Sequence, residues 1–424
     1  MGGGFVGTVT AVVLAEADHH VRLMESDPDR RRVLQEGRPG FEEPGLGTAL
    51  RQQLRRGTLE VPDSLDAGNA PQVTVVCVGT PAAPDGSADL QHVLAACREA
   101  ASRMDGGVLA VKSTVPPGTT RHLVAPAVEA VAPTVRVASL PEFLAEGNAL
   151  EGARRPDRVV VGSDDEVATG LLTDLHEGLT PRVVVTDPTT AESIKYASNA
   201  MLAARIGVVN ELANVCESVG VSIDEVMDAV GLDPRIGPLF LQAGLGFGGS
   251  CFPKDVLALC CLARERGAPM RILERVLQSN EAQPLRAVRL LEEELGNLRG
   301  KQVALLGLSF KPGTSDLRES RAVAIHKALR ARGANVVAHD PAASEDFRRL
   351  VPEAVLVADA ADAVVGADAC VVATAWPQYR ALPWPELVAT MRRPLVIDGW
   401  RILDPDALGR EVRYRAIGRG VVTA

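Results

Sequence analysis

The chain has 424 residues, 46% hydrophobic and 23% charged, with a formal net charge of −9. That length supports two or three domains around a large core, and the acidic balance argues against nucleic acid as a general partner. No apolar run approaches the roughly 20 residues that span a bilayer, and no basic-then-apolar N-terminal segment marks a secretory signal. Seven unevenly spaced cysteines do not form a disulfide framework, so a reduced, cytoplasmic setting is expected.

Gly2-Gly3-Gly4-Phe5-Val6-Gly7 satisfies the G-x-G-x-x-G pattern of a dinucleotide-binding turn through Gly2, Gly4 and Gly7. Val9 to Leu14 reads as the helix that follows, and Val21 to Met24 as the next strand, ending at Glu25. Glu25 lies 18 residues past Gly7, about where an acid grips the adenosine ribose. The first strand of such a unit should precede the glycines, yet only Met1 does. The N-terminus is therefore expected to be short by about one strand, which would weaken dinucleotide binding most.

Strands follow at Val73–Val78 and Val108–Val111. Each runs into a polar Gly/Pro loop, Gly79-Thr80-Pro81 and Lys112 to Gly118, where ligands of open α/β sheets gather. Residues 189–230 read as helical throughout, a common site for an oligomer seam, and 240–250 as a glycine-rich loop. From Gly300 an α/β rhythm restarts, with strands at Val303–Leu306, Val336–Ala338, Cys370–Ala373 and Leu395–Ile397, the last ending at Asp398. This second unit lacks the three-glycine fingerprint and is assigned to substrate. The fold class is α/β: two Rossmann-like doubly wound domains joined by a long central helix. The expected domains are 1–185 (dinucleotide), 186–295 (helical, dimerisation) and 296–424 (substrate).

One cysteine and two pairs of residues carry chemistry. Cys251 sits between glycines and Lys254-Asp255; a thiolate there is a nucleophile whose thioester hydrolyses readily. Its bland alternative is a buried core cysteine, the reading given to Cys260-Cys261. Lys195 and Asn199 are four apart on a helix and share a face, suited to a developing alkoxide or merely solvated. Glu142 and Glu146, also four apart, read as a helical turn in which like charges repel slightly.

Several segments together resemble the UDP-glucose/GDP-mannose dehydrogenase family, nearest its UDP-glucose 6-dehydrogenase branch. They are Val78 to Pro81 with Asp85 to Leu90, Val111 to Thr120, Pro141 to Gly147, Ile194-Lys195-Tyr196 with Asn199, Phe247 to Asp255, and Gly307 to Pro312 with Asp316 to Ser320. The resemblance implies NAD-dependent, four-electron oxidation of a nucleotide-diphosphate-glucose at C6, through a thiohemiacetal and thioester on Cys251. It implies that Lys195 and Asn199 serve the C6 oxygen, that Glu142 acts as base in thioester hydrolysis, and that Glu146 lies near substrate and nicotinamide. Thr114 and Asp255 would position a water. NAD would be held by Gly2, Gly4, Phe5, Val6, Gly7, Glu25, Arg30, Thr80, Thr114, Glu146, Lys254 and Arg318. The nucleotide-sugar would meet Glu142, Glu146, Lys195, Asn199, Phe240, Leu241, Gln242, Ala243, Gly244, Gly248 and Lys311, with Arg235 reaching across a homodimer seam. No metal or membrane enters this reading.

Leu140 stands where the family usually has Asn, Ala375 where Glu is usual, and Trp400 where an arginine near the substrate is expected. A tryptophan could stack on base or sugar, or Arg401 could take over the contact. dTDP-glucose or GDP-mannose are alternative substrates. A two-electron hydroxyacid-type dehydrogenase and a nucleotide-sugar-binding relative without catalysis are alternative functions.

Overall fold

The computed structural model describes residues 1–64, 70–409 and 411–420. The chain folds as two compact units, Met1–Ser198 with Leu257–Ala268 and Asn199–Val256 with Pro269–Ala424.

In the first unit a two-stranded parallel sheet pairs β1 (Val21–Arg22) with β2 (Leu59–Glu60). A five-stranded sheet runs β3 (Val73–Val76), β4 (Val108–Val111), β5 (Arg136–Ser139), β6 (Val159–Gly162) and β7 (Val183–Thr186). All its pairs are parallel except β5 with β6. One residue bridges the two sheets. Met1 donates its amino group to the Val75 carbonyl (2.9 Å) and accepts from Cys77 N–H (2.8 Å), while Gly2 N–H donates to Met24 (2.8 Å). Burial holds this amino group below its usual pKa. With Met1 as a strand position, the order β2-β1-Met1-β3-β4-β5 is the 3-2-1-4-5-6 order of a dinucleotide fold. The central ladder position anticipated from sequence thus exists as a single rung.

The second unit holds a six-stranded sheet, wholly parallel, in the order β10-β9-β8-β11-β12-β13. Its strands are β8 (Gln302–Leu306), β9 (Asn335–His339), β10 (Val355–Leu356), β11 (Ala369–Val372), β12 (Leu395–Asp398) and β13 (Arg413–Ala416). Strands β8, β11 and β12 are apolar on both faces, because separate clusters of buried side chains cover each face. This is the pattern of an all-parallel sheet. The order again reverses beside β8, so a crevice is expected outside the C-terminal ends of β8 and β11.

Two readings from sequence are corrected. The stretch 189–230 is not one helix: Pro188–Ser218 ends, Gly220 turns with φ +77°, and Ile223–Gly231 begins anew. The segment 141–146 is not helical; Pro141 and Glu142 within it are buried. The three strands β5 to β7 were not anticipated, whereas each strand expected after Gly300 falls within one residue of its place. No helix among the described residues is long and apolar enough to cross a membrane.

His176 is buried and donates Nδ1–H to the Leu172 carbonyl (2.8 Å). Burial, aided by Lys112 and His19 nearby, brings its pKa down to about 4 from 6.5. The unfolded chain therefore binds a proton between these values that the folded chain refuses. Stability should be full above about pH 6.5 and fall by about 3 kcal/mol as pH drops toward 4. Urea unfolding across this range should show His176→Gln losing that part of the pH dependence; an unchanged slope would contradict the assignment.

Candidate active site

The glycine turn of the first unit is built for close approach. A Cβ on Gly7 would lie 1.8 Å from the Gly2 carbonyl oxygen, so only glycine packs the helix onto the turn. That helix, Phe5–Glu16, starts at Gly4 with no side-chain cap and no acid in its first turn. Its first N–H groups are left for an anion, and a Cβ on Gly4 would meet nothing within 4 Å. Glu25, 6% exposed, accepts from Gly3 N–H and Asp27 N–H, both at 2.9 Å. Arg30 stands 3.6 Å from it. An open helix end, a tight turn and an acid at the second strand's end fit a dinucleotide such as NAD.

The loops after β3 and β4 are joined by Ser113, whose hydroxyl donates to the Val78 carbonyl (2.7 Å). This fixes the stretch holding Thr80, itself buried, against that holding Thr114. Lys195 lies on the helix Pro188–Ser218 and forms a buried ion pair with Glu142 at 3.1 Å, the side chains 4% and 7% exposed. Glu142 also accepts from Leu144 N–H (2.5 Å). The Phe143 ring lies 5.4 Å from the Lys195 ammonium and carries the Arg158 guanidinium at 3.9 Å. Glu43, 6% exposed, accepts from Gly147 N–H (2.6 Å) and Ala149 N–H (2.7 Å), which sets the turn after Glu146. Ser113 and Glu43 were not singled out in the sequence: Ser113 falls within the segment Val111 to Thr120, Glu43 outside every motif segment, and the bonds of both reach distant elements.

In the second unit Cys251 immediately precedes the helix Phe252–Glu265. Negative charge on sulfur is favoured at that end of a helix. One turn on, Asp255 is 2% exposed and accepts from the Asn199 amide (2.7 Å) and the Lys254 ammonium (2.5 Å). The cysteine loop is seated by Gly249, with φ +82°. Its N–H donates to the Arg318 carbonyl (2.9 Å), and a Cβ there would meet the Phe310 ring at 2.7 Å. Lys311 lies 5.3 Å from that same ring, and the Arg318 side chain pairs with Asp316 at 2.6 Å.

Segment 240–244 begins with strain, since Phe240 has φ +60°, a conformation costly for a bulky residue. It ends fixed: Gly244 N–H donates to the Asn210 side chain (2.8 Å), and the Gln283 amide donates to the Gly244 carbonyl (2.9 Å). Leu241 is half-buried, Gln242 exposed, Ala243 buried, and Gly248 half-buried. Arg235 is 87% exposed and bonds only to its neighbour Asp233 among the described contacts.

Family models cover the chain in three parts: the NAD binding domain of the UDP-glucose/GDP-mannose dehydrogenase family over residues 1–180, its central domain over 189–282, and its UDP binding domain over 304–405. The chain belongs to this family. It is 40% identical to the UDP-glucose 6-dehydrogenase of Rhizobium meliloti, over 99% of this chain and 98% of that one. Against the Pseudomonas aeruginosa UDP-glucose 6-dehydrogenase it is 41% identical, over 99% and 96%. The UDP-glucose dehydrogenase structure from Pyrobaculum islandicum superposes with a TM-score of 0.92 at 42% identity, over 98% and 96% of the two chains.

The departures from the family pattern have structural consequences. Leu140 is buried among β-strand residues of the first unit. The Trp400 indole donates to the Ala373 carbonyl (2.9 Å) and lies so close to Gly244 that a Cβ there would meet it at 2.3 Å. The Arg401 guanidinium, 6% exposed, is bound to Asp224 (2.8 Å) and to the carbonyls of Ile417 (2.7 Å) and Ala243 (3.0 Å).

The Lys195–Glu142 pair allows a direct test. Lys195→Met leaves Glu142 as a buried, unpaired carboxylate and should destabilise the protein by about 3–5 kcal/mol. Adding Glu142→Gln should recover a large part of that loss. Urea unfolding of the four proteins of this cycle measures the coupling, and strictly additive effects would show that the pair is not one.

Proposed function

We propose that this protein oxidises UDP-glucose at C6 to the uronic acid in two NAD-dependent steps, passing through a thioester on Cys251. The observation that carries the reading is the Cys251 helix end, with Asp255 one turn on, bonded to Asn199 and Lys254. The relatives of about 40% identity that bear the name UDP-glucose 6-dehydrogenase support the substrate. We place it in the reduced cytoplasm, in keeping with seven thiols and no disulfide among them.

NAD, when bound, would supply the hydride acceptor for both oxidations; the glycine turn and the uncapped helix end would hold its pyrophosphate, and Glu25 its ribose. In the first oxidation Lys195 and Asn199, one helical turn apart, stabilise the C6 oxygen as its proton leaves, with Thr114 and Asp255 orienting the water that carries that proton. The Cys251 sulfur then bonds to C6 of the aldehyde and the oxygen takes up a proton, giving a thiohemiacetal. Loss of the second hydride and of the hydroxyl proton leaves a thioester. Glu142 takes a proton from the attacking water, the C–S bond breaks, and the acid departs as the thiol is restored. Binding energy for the sugar comes from Glu146, Gly248, Lys311 and residues 240–244, with Lys254 and Arg318 on the NAD side. A two-electron hydroxyacid reaction leaves Cys251 without a task.

Met201, Val208, Leu212, Val215 and Val219 are exposed at helical spacing along Pro188–Ser218 and the turn after it. A second copy of the chain is the occupant proposed for this stripe. The resemblance stated for Arg235, which projects into solvent, supports that choice. Light scattering should show a dimer, and Val208→Glu with Val215→Glu should give monomers; a wild-type monomer would refute the seam.

The reaction itself is tested by stoichiometry. UDP-glucose should yield two NADH per sugar consumed, and Cys251→Ala should bind sugar and NAD yet make no acid. One NADH per turnover with a free aldehyde accumulating, or near-normal acid formation by Cys251→Ala, would remove the thioester route. A panel with dTDP-glucose and GDP-mannose reads the nucleotide preference directly.

A further inference from the structure

Glu192 opens the buried polar face of the helix Pro188–Ser218, three residues before Lys195 and seven before Asn199. That spacing puts the three on one side of the helix. Lys195 and Asn199 are accounted for by the chemistry above; Glu192 is not. It is 2% exposed. Its two carboxylate oxygens divide the work: one accepts from Gly118 N–H at 2.6 Å, the other from Thr120 N–H at 2.7 Å. Both donors belong to the loop that leaves β4, and a sequence separation of more than 70 residues makes this a tertiary tie. Arg121, the cation beside these donors, pairs with Asp164 and Asp187.

The same loop is fixed at its other end by the Ser113 hydroxyl on Val78, and within it the Thr119 hydroxyl donates to Pro116 (2.6 Å). Val115 is buried in the core beneath. Thr114 therefore sits in a short span held on both sides, and Glu192 is the one side-chain carboxylate in that fastening. Burial pushes the Glu192 carboxyl up, and the Thr120 hydroxyl together with the N–H groups of Thr120, Gly118 and Thr119 pulls it back.

We infer that Glu192 is a positioning residue for the hydride-transfer steps: it locks the Thr114 loop to the helical turn that carries Lys195. The inference rests on the NAD-dependent reaction proposed above. A carboxylate suits the task because both donors need an acceptor. A glutamine offers one oxygen and turns an NH2 toward the second N–H, leaving a buried donor unsatisfied.

The test uses the full chain, with Glu192→Gln and Glu192→Asp. NAD affinity is measured by calorimetry without sugar, the KM values for NAD and UDP-glucose by NADH formation, and the melting temperature separately. Glu192→Gln should weaken NAD binding and raise its KM about tenfold, with the KM for UDP-glucose changed less than about twofold. Glu192→Asp keeps two acceptor oxygens and should lie closer to wild type in NAD affinity despite its shorter reach. The inference is overturned if Glu192→Gln binds NAD as wild type does while only melting earlier, if both KM values rise together, or if Asp is as poor as Gln. Should wild type make no NADH from UDP-glucose while calorimetry still separates Gln from Asp, the substrate reading fails and the role of Glu192 stands.

Discussion

A buried charge must be matched where it lies, and the helix Pro188–Ser218 carries several. The Lys195 ammonium survives burial because Glu142 is 3.1 Å away; Asn199 serves Asp255, and Glu192 serves two backbone N–H groups. Removing either partner of the Lys195–Glu142 pair leaves the other charge buried without its counter-ion, which costs more than the pair itself contributes. The pairs also fix rotation of the helix, since residues 192, 195 and 199 must face inward together while Met201, Val208 and Val215 remain outside. Its one interior glycine, Gly207, weakens it by roughly 1 kcal/mol relative to alanine. The reason is local: a Cβ at Gly207 would stand 3.0 Å from Val276.

The two Rossmann-like sheets solve one problem with one device. In each, an acid at the end of the second strand reaches back to the turn after the first. Glu25 accepts from Gly3 N–H in one unit. In the other, Asp340 accepts from Leu308 N–H (2.7 Å) and Ser309 N–H (3.0 Å). The difference lies in what else the acid meets. Asp340 also accepts the Trp376 indole N–H (3.0 Å) and is 4% exposed, so its oxygens are committed to the protein. Glu25 stands beside an uncapped helix start and a glycine with open space above it. The same strand order thus gives a dinucleotide site where glycines clear the ground, and a sealed turn where Ser309 and Trp376 fill it.

The parts of this arrangement legible in the sequence were those with local signatures. The glycine turn, the acid after the second strand and four strands of the second sheet follow from spacing and apolar runs, which depend on neighbours in sequence; the edge strands β10 and β13 do not. Cys251 stood out because glycines flank it, and Gly249 is required by the Phe310 ring. What stayed illegible depends on distant partners. Glu142 and Glu146 read as a helical turn, yet Glu142 belongs to a non-helical segment and pairs with Lys195, some 50 residues on. Glu43 and Glu192 lie outside the motif segments, and Ser113 lies inside one that does not reveal its partner; each acts through backbone groups of another element. The strands β6 and β7 were passed over although each opens on a run of three valines, 159–161 buried and 183–185 partly exposed.

Trp400 and Arg401 show where family membership carries the reaction further than it carries recognition. The turn after β12 would be a natural source of a cation for a diphosphate. Trp400 offers only an indole face, its N–H given to Ala373, and its ring leaves room at position 244 for glycine alone. Arg401 holds a left-handed conformation, φ +57°, which a non-glycine residue adopts at a cost. Its guanidinium binds Asp224 and the carbonyls of Ile417 and Ala243 with one donor from each of its three nitrogens. The turn therefore grips the backbone of residues 243–244 from two sides instead of projecting a charge. What the turn supplies is a preformed backbone shape in place of a projecting charge.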